Sequence, residues 1–174
     1  MRWSWMMGAW VAVAGHAAAG DGYDPHADVI ELRHTDAALH ATYEKGKRMM
    51  LPRVLLFDAA MKPLVAQFGW GPKMERKLDL ALRKDEPFES PLTLELTLGE
   101  TITEDGRSLA VADLPKADGY VVDYWAVWCS PCHAFERDII TQMHRWHDQG
   151  KRVIWLKIES DPQKQRQDSA KQVR

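Results

Sequence analysis

The chain has few cysteines, no long hydrophobic run and no excess of charge of one sign. Its 174 residues include two cysteines, 23 basic residues and 25 acidic residues, and the formal net charge is -2. A basic surface for nucleic acid is therefore not expected. Two cysteines three positions apart do not make a structural framework, because the small ring that they close removes little chain entropy. The hydrophobic fraction of 45% predicts a folded chain of ordinary composition.

Residues 1–19 differ from the rest of the chain. Arg2 supplies a positive start, an apolar run covers Trp3 to Ala14, and Ala17-Ala18-Ala19 offers an Ala-x-Ala cleavage site. These features together predict a secretory signal peptide. A retained membrane anchor is the alternative, but about twelve apolar residues fall short of the ~20 that span a bilayer. We therefore expect a periplasmic or secreted protein that is not integral to the membrane.

The rest of the chain alternates between strand-like and helix-like patterns. Strands are predicted at 29–32, 54–57, 64–68, 93–97, 109–111, 120–127 and 153–158, and helices at 37–46, 72–84 and 132–148. Asp105-Gly106 predicts a hairpin turn between 93–97 and 109–111. Gly150 is expected to end the last helix. The charged, proline-containing stretch 85–91 is the one internal boundary that the sequence indicates.

Cys129 and Cys132 are the residues that we expect to carry the chemistry. Cys129 follows a buried strand and Cys132 lies one turn into the next helix, so the positive end of the helix favours a thiolate. Cys129 is expected to attack a substrate disulfide and Cys132 to resolve the mixed disulfide. Pro131 fixes the turn between the two thiols. This redox-active pair needs neither a metal nor another cofactor.

Two other interpretations start from the same cysteines. Cys129-x-x-Cys132-His133 fits the attachment pattern of c-type haem, although it interrupts an apolar strand and a well-patterned helix. His144 and His147 extend the pattern to C-x2-C-x11-H-x2-H, a near miss to the zinc-finger spacing. We expect these two histidines to be ordinary surface residues.

The segment from Val121 to Cys132 resembles the active-site segment of thioredoxins, with a W-C-x-P-C core and an aspartate six residues before the first cysteine. The resemblance implies an α/β, thioredoxin-like fold, in which helices flank a central mixed sheet. It makes Asp123 a buried general base toward Cys132, Trp128 the residue that covers the site, and Lys157 a neighbour of the aspartate. The alternatives are an aspartate that only caps a strand end and a solvated lysine at a sheet edge.

The first half of the chain resembles the other half of a thioredoxin. In this comparison Pro52 is the cis-proline that faces the thiols, and Leu51 offers its backbone to a bound peptide; a trans-proline at a strand start is the alternative. The predicted division is a signal peptide at 1–19, a C-terminal-half-like segment at 20–84, a linker and β-hairpin at 85–117, and the W-C-x-P-C half at 118–174.

The two halves therefore stand in the reverse of the usual order. A circular permutation is favoured, while a tandem of incomplete domains and a truncated product remain open. In a permuted single domain, residues 54–57 must pair beside 121–127, and Pro52 must reach Cys129. The strands at 29–32 and 153–158 appear in the sequence as two candidates for one position of the fold.

The predicted function is reduction or exchange of disulfides in exported proteins. The Ser-Pro dipeptide, Asp123 and the preceding hairpin resemble the exported reducing relatives that serve cytochrome c maturation. This resemblance implies a membrane thiol-reductase donor as a partner. The alternatives are a c-type haem electron-transfer protein and a thioredoxin-like module that captures partners through Cys129 without turnover.

Overall fold

A computed structural model describes residues 23–38 and 50–161. The signal-peptide prediction, most of the helix predicted at 37–46 and the polar tail after residue 161 lie outside the described residues. The strands are β1 (Val29–His34), β2 (Arg53–Asp58), β3 (Pro63–Phe68), β4 (Thr101–Thr103), β5 (Gly119–Trp125) and β6 (Val153–Glu159). The helices are α1 (Met74–Lys84), α2 (Leu94–Gly99) and α3 (Ser130–Asp148).

The six strands form one mixed sheet in the order β3-β2-β5-β6-β1-β4. The inner strands β5 and β6 are parallel, as are β6 and β1, whereas β2 pairs antiparallel with both β5 and β3. The pairing that the permuted arrangement requires is present, because residues 54–57 lie opposite 120–123. β1 and β6 occupy neighbouring positions and do not compete for one. Strands from both sides of the 85–91 stretch thus belong to one sheet, and the fold is of the α/β class.

Helices cover both faces of this sheet. On one face, α1 and α3 pack Leu78, Leu82, Phe135, Ile139, Met143 and Trp146 against the strands. On the other face, the short helix α2 contributes Leu94 and Leu98 to a second apolar cluster. Alternate residues of β2 and β5 point to opposite faces, so continuous apolar runs such as Val54-Leu55-Leu56-Phe57 are buried on both sides.

The stretch 93–97 differs from its prediction. Its alternating pattern predicts a strand in a hairpin, but Leu94–Gly99 is the helix α2, and residues 109 and 110 lie in no strand. The Thr93 hydroxyl caps this helix by accepting a hydrogen bond from the Leu96 N–H at 3.1 Å. The turn at Asp105-Gly106 exists, yet β4 pairs with β1. The predicted β-hairpin within 85–117 is therefore wrong.

α3 begins two residues earlier than predicted, at Ser130, with Cys129 as its N-cap. Its buried stripe has the predicted spacing, since Phe135, Ile139, Met143 and Trp146 are almost completely enclosed. Within residues 23–38 and 50–161, neither α3 nor any other helix is both long and apolar enough to cross a bilayer.

Candidate functional site

Cys129 and Cys132 form a disulfide at the junction of β5 and α3. Their sulfurs are 2.01 Å apart and their Cα atoms 5.3 Å apart. The apolar strand ends at Trp125, the chain turns through residues 126–128, and the helix begins directly after Cys129. Cys129 and Cys132 are 3% and 2% exposed, so burial does not distinguish the expected attacking cysteine from the expected resolving one.

The position relative to the helix does distinguish the two cysteines. Sγ of Cys129 accepts a hydrogen bond from the backbone N–H of Cys132 at 3.2 Å, so the sulfur is the capping acceptor of α3. Once the disulfide is reduced, a thiolate at this position faces the N–H groups and the positive dipole end of the helix. Pro131 lies exposed in the first helical turn, where a missing N–H leaves no hydrogen bond unmade.

Leu51 reaches the site from the first half of the chain, and Pro52 is the next residue. The Leu51–Pro52 peptide bond is cis, and Pro52 is buried at the start of β2. Leu51 packs against the small cluster of Ala126, Cys129 and Cys132. The antiparallel pairing of β2 with β5 causes this approach, because it sets the beginning of β2 beside the end of β5.

Asp123 is a buried acid on the face of β5 that α3 covers. It follows Val121 of the same face at the strand period of two, and it is 1% exposed. Its Oδ1 atom accepts no hydrogen bond from any residue that the structure describes. Burial raises the pKa of Asp123 well above its usual value; the positive charge of Lys157 opposes this rise and the negative charge of Glu136 adds to it.

Lys157 lies directly across from Asp123 on the neighbouring inner strand β6. It is 9% exposed, so the alternative of a solvated lysine at a sheet edge is wrong. Its Nζ donates to Oε1 of Glu136 at 2.8 Å and lies 3.6 Å from Oε1 of Glu31. The same ammonium stands 4.5 Å from the centre of the Trp125 ring, which forms a cation–π contact.

The surface beside the disulfide is apolar and open. Trp128 is 60% exposed, and Val127 and Met50 are also exposed. His133 is held next to them, with Nε2 3.0 Å from the Val127 carbonyl oxygen. Because a carbonyl only accepts, this contact places a proton on Nε2. Exposed apolar side chains thus border the cysteine pair.

His144 and His147 lie at the other end of α3. Their rings pack on Tyr23, with centroid distances of 5.5 Å and 4.0 Å. In the described ranges, no group of three or more histidine, cysteine, aspartate or glutamate side chains is arranged to hold a metal ion.

Sequence reasoning missed Glu136 and Glu31, the two carboxylates that contact Lys157. A signal for Glu136 was present, since it follows Cys132 by four residues and therefore lies on the same side of α3. Glu31 had no such signal, because its approach depends on β1 lying beside β6.

The site combines a sulfur pair at a helix N-terminus with a buried carboxyl group and a buried ammonium. Such a set can form a thiolate, exchange disulfides and carry a proton. Comparisons with protein-family models, with curated proteins and with solved structures gave no match to this chain. The function is therefore inferred from this geometry.

Proposed function

We propose that this protein is a thioredoxin-like thiol:disulfide oxidoreductase that acts on exported proteins through Cys129 and Cys132. The observation that carries the proposal is the Cys129–Cys132 disulfide at the start of α3, with the Cys132 N–H directed at the Cys129 sulfur. A helix N-terminus stabilises the thiolate needed for exchange. The apolar surface at Trp128 supports the proposal, because a partner's polypeptide has apolar side chains to contact there.

In the proposed reaction, the reduced protein transfers two electrons to a substrate disulfide. The Cys129 thiolate attacks one substrate sulfur, forms a mixed disulfide and releases the other sulfur as a thiolate, which takes a proton from solvent. Asp123 accepts the proton of Cys132, whose thiolate then attacks Sγ of Cys129. The Cys129–Cys132 bond closes, and the second substrate sulfur leaves as a thiolate, which becomes a thiol when Asp123 gives back the proton that it accepted. A thiol donor, expected in the membrane, restores the reduced pair.

We also propose that the fold is a circularly permuted thioredoxin fold. This interpretation is supported by the arrangement of two units in the sheet. The antiparallel pair β2-β3, which helix α1 follows in the chain, lies directly beside β5 of the unit β5-α3-β6. The position of Leu51 against the cysteine pair supports a role for Leu51 and Pro52 in the site. One sheet with separate places for β1 and β6 favours a permutation over a tandem of incomplete domains.

Single cysteine variants test whether Cys129 and Cys132 carry catalysis. Wild type should accelerate the reduction of insulin by dithiothreitol, and Cys129→Ser should return the rate to that of dithiothreitol alone, because the attacking sulfur is gone. Cys132→Ser should accumulate partner proteins as mixed disulfides, since nothing resolves them. The measurements are insulin turbidity and non-reducing electrophoresis, with Cys129→Ser as the matched control for trapping.

Other results would contradict this function. A Soret band in the purified protein would indicate covalent haem, the interpretation based on His133. Equal trapping by wild type and Cys132→Ser would indicate a binding module without turnover.

The reduction potential decides the direction of electron flow: a value near about -270 mV fits a reductant, whereas one near about -120 mV fits an oxidant.

A further inference from the structure

Three carboxylates surround the Lys157 ammonium: those of Glu136, Glu31 and Asp123. It lies across the strand pair from Asp123, yet its hydrogen bond goes to Glu136 of α3 at 2.8 Å. Oδ1 of Asp123 receives no hydrogen bond from the described part of the chain. The buried ammonium of Lys157 is thus hydrogen-bonded to Glu136 and lies 3.6 Å from Glu31, while the more deeply buried Asp123 on the neighbouring strand receives no hydrogen bond at Oδ1.

We propose that Glu136 is a positioning residue: it holds the Lys157 ammonium against α3, so that this cation does not pair with Asp123, the group that takes the proton of Cys132. The inference rests on the proposed function for the role of Asp123. Glu136 touches neither the sulfurs nor a substrate in this assignment. It acts through Lys157.

The charged groups around Asp123 come from two elements. β6 supplies Lys157 and α3 supplies Glu136, while the register partner on β2 is the apolar Val54. Glu31 of β1 contacts Lys157 from the far side at 3.6 Å. Nδ1 of His133 lies 4.0 Å from Oε2 of Glu136 and can add a positive charge there when protonated.

The arrangement matters because a general base works best when its pKa is near the working pH. Burial and the Glu136 carboxylate both raise the pKa of Asp123. If Glu136 lost its charge, one negative neighbour would disappear and Lys157 would be free to turn to Asp123. Both changes lower the pKa of Asp123 and weaken it as a base toward Cys132.

The direct test follows the Asp123 carboxyl carbon by NMR during a pH titration of the oxidised protein. In Glu136→Gln the titration midpoint should fall by about one pH unit or more, the usual effect of an added ion partner. Glu136→Asp should keep the midpoint near that of wild type. Lys157→Met should move it upward. Glu31→Gln is the matched control and should shift it much less, because Glu31 is more distant and more exposed.

A double variant shows whether Glu136 acts through Lys157. In the Lys157→Met background, adding Glu136→Gln should move the midpoint far less than it does in wild type. Equal shifts in the two backgrounds would overturn the positioning role, since Glu136 would then act only through its own charge. An unchanged midpoint in Glu136→Gln would overturn the proposal outright.

A kinetic measurement tests whether the change in the Asp123 titration also slows the resolution of the mixed disulfide. In Glu136→Gln the mixed disulfide formed by Cys129 should persist several-fold longer at pH 7, and Glu136→Asp should restore its lifetime. The NMR titration needs no activity, so the two proposals fail separately. If wild type is inactive but the Asp123 midpoint still falls in Glu136→Gln, the proposed function is wrong. If wild type is active but the midpoint does not move in Glu136→Gln, only the role of Glu136 is wrong.

Discussion

A carboxyl group that is 1% exposed, as that of Asp123 is, has lost on folding the hydration that would stabilise its ionised form. Lys157 is near enough to offset part of this loss, but Glu136 engages its ammonium. At the scale of single residues, the proposed base is therefore destabilising whenever it is charged. We expect this cost to be visible in the pH dependence of folding.

Asp123→Asn should make the protein more stable at pH 8 and leave it nearly unchanged at pH 4. The pKa of Asp123 in the folded protein is raised above its unfolded value of about 3.9. At pH values between these two pKa values, the native state therefore holds a proton that the unfolded state has lost. Wild-type stability should accordingly fall, relative to the variant, as pH rises from about 4 through the folded pKa. A gain on the order of 1–3 kcal/mol is expected at pH 8.

Thermal unfolding of the oxidised proteins between pH 4 and pH 8 measures this difference. Each kcal/mol corresponds to about 2–4 °C in a chain of this size. Using the difference between the two proteins removes the contribution of every other titrating group. Parallel curves for wild type and variant would mean that Asp123 does not titrate differently in the folded and unfolded states.

At the scale of elements, α3 shows how local sequence ends a helix. The N–H of Gly150 bonds to the carbonyl of His147 at 2.8 Å, and the N–H of Lys151 bonds to that of Trp146 at 2.9 Å. This pair of bonds is the Schellman arrangement, which needs a left-handed residue after the helix. Gly150 has a φ of 73°, as that position requires.

Gly150→Ala and Gly99→Ala should therefore change stability in opposite directions. Both sites have open space for a Cβ atom, but only Gly150 has a positive φ. Alanine at 150 should cost about 1–2 kcal/mol, and alanine at 99, in the last turn of α2, should gain about 0.5–1 kcal/mol. Urea unfolding of the two variants measures both values. A loss at 99 as large as that at 150 would contradict the conformational explanation.

The helix α2 shows the opposite case, in which local sequence was ambiguous. Thr93-Leu94-Glu95-Leu96-Thr97-Leu98 has apolar residues at a spacing of two and also at a spacing of four. Leu94, Thr97 and Leu98 are buried, whereas Leu96 is exposed, so the helical period is the one that the fold uses. The Thr93 cap was the local signal that favoured a helix.

At the scale of the whole molecule, the sheet joins segments that are distant in sequence. Leu56 of β2 lies opposite Val121 of β5 and Val65 of β3, and it is completely buried beneath the helices α1 and α3. Neither half of the chain buries its inner strand without the other. The two halves are thus expected to unfold together.

Leu56→Ala should destabilise both halves equally, by about 2–5 kcal/mol, because the cavity lies in the core they share. Hydrogen exchange measures this destabilisation residue by residue. Amides of β2 and of β6 that exchange through global unfolding should show the same decrease in their free energy of opening. Leu80→Ala, at an exposed position of α1, is the control and should stay within about 0.5 kcal/mol. Loss of protection confined to β2 and β3 would instead indicate a tandem of separate units.

Local sequence patterns were enough to predict the inner strands, the buried stripe of α3, the glycine that ends this helix and the cysteine pair at its start. Each of these depends on periodicity or turn chemistry within about twenty residues of chain, which is visible without the fold. The packing of distant segments was needed to establish that α2 is a helix, that Leu51 packs on the disulfide, and that Lys157 bonds to Glu136. Those features depend on which strands become neighbours, because a contact between distant segments leaves no period in either of them.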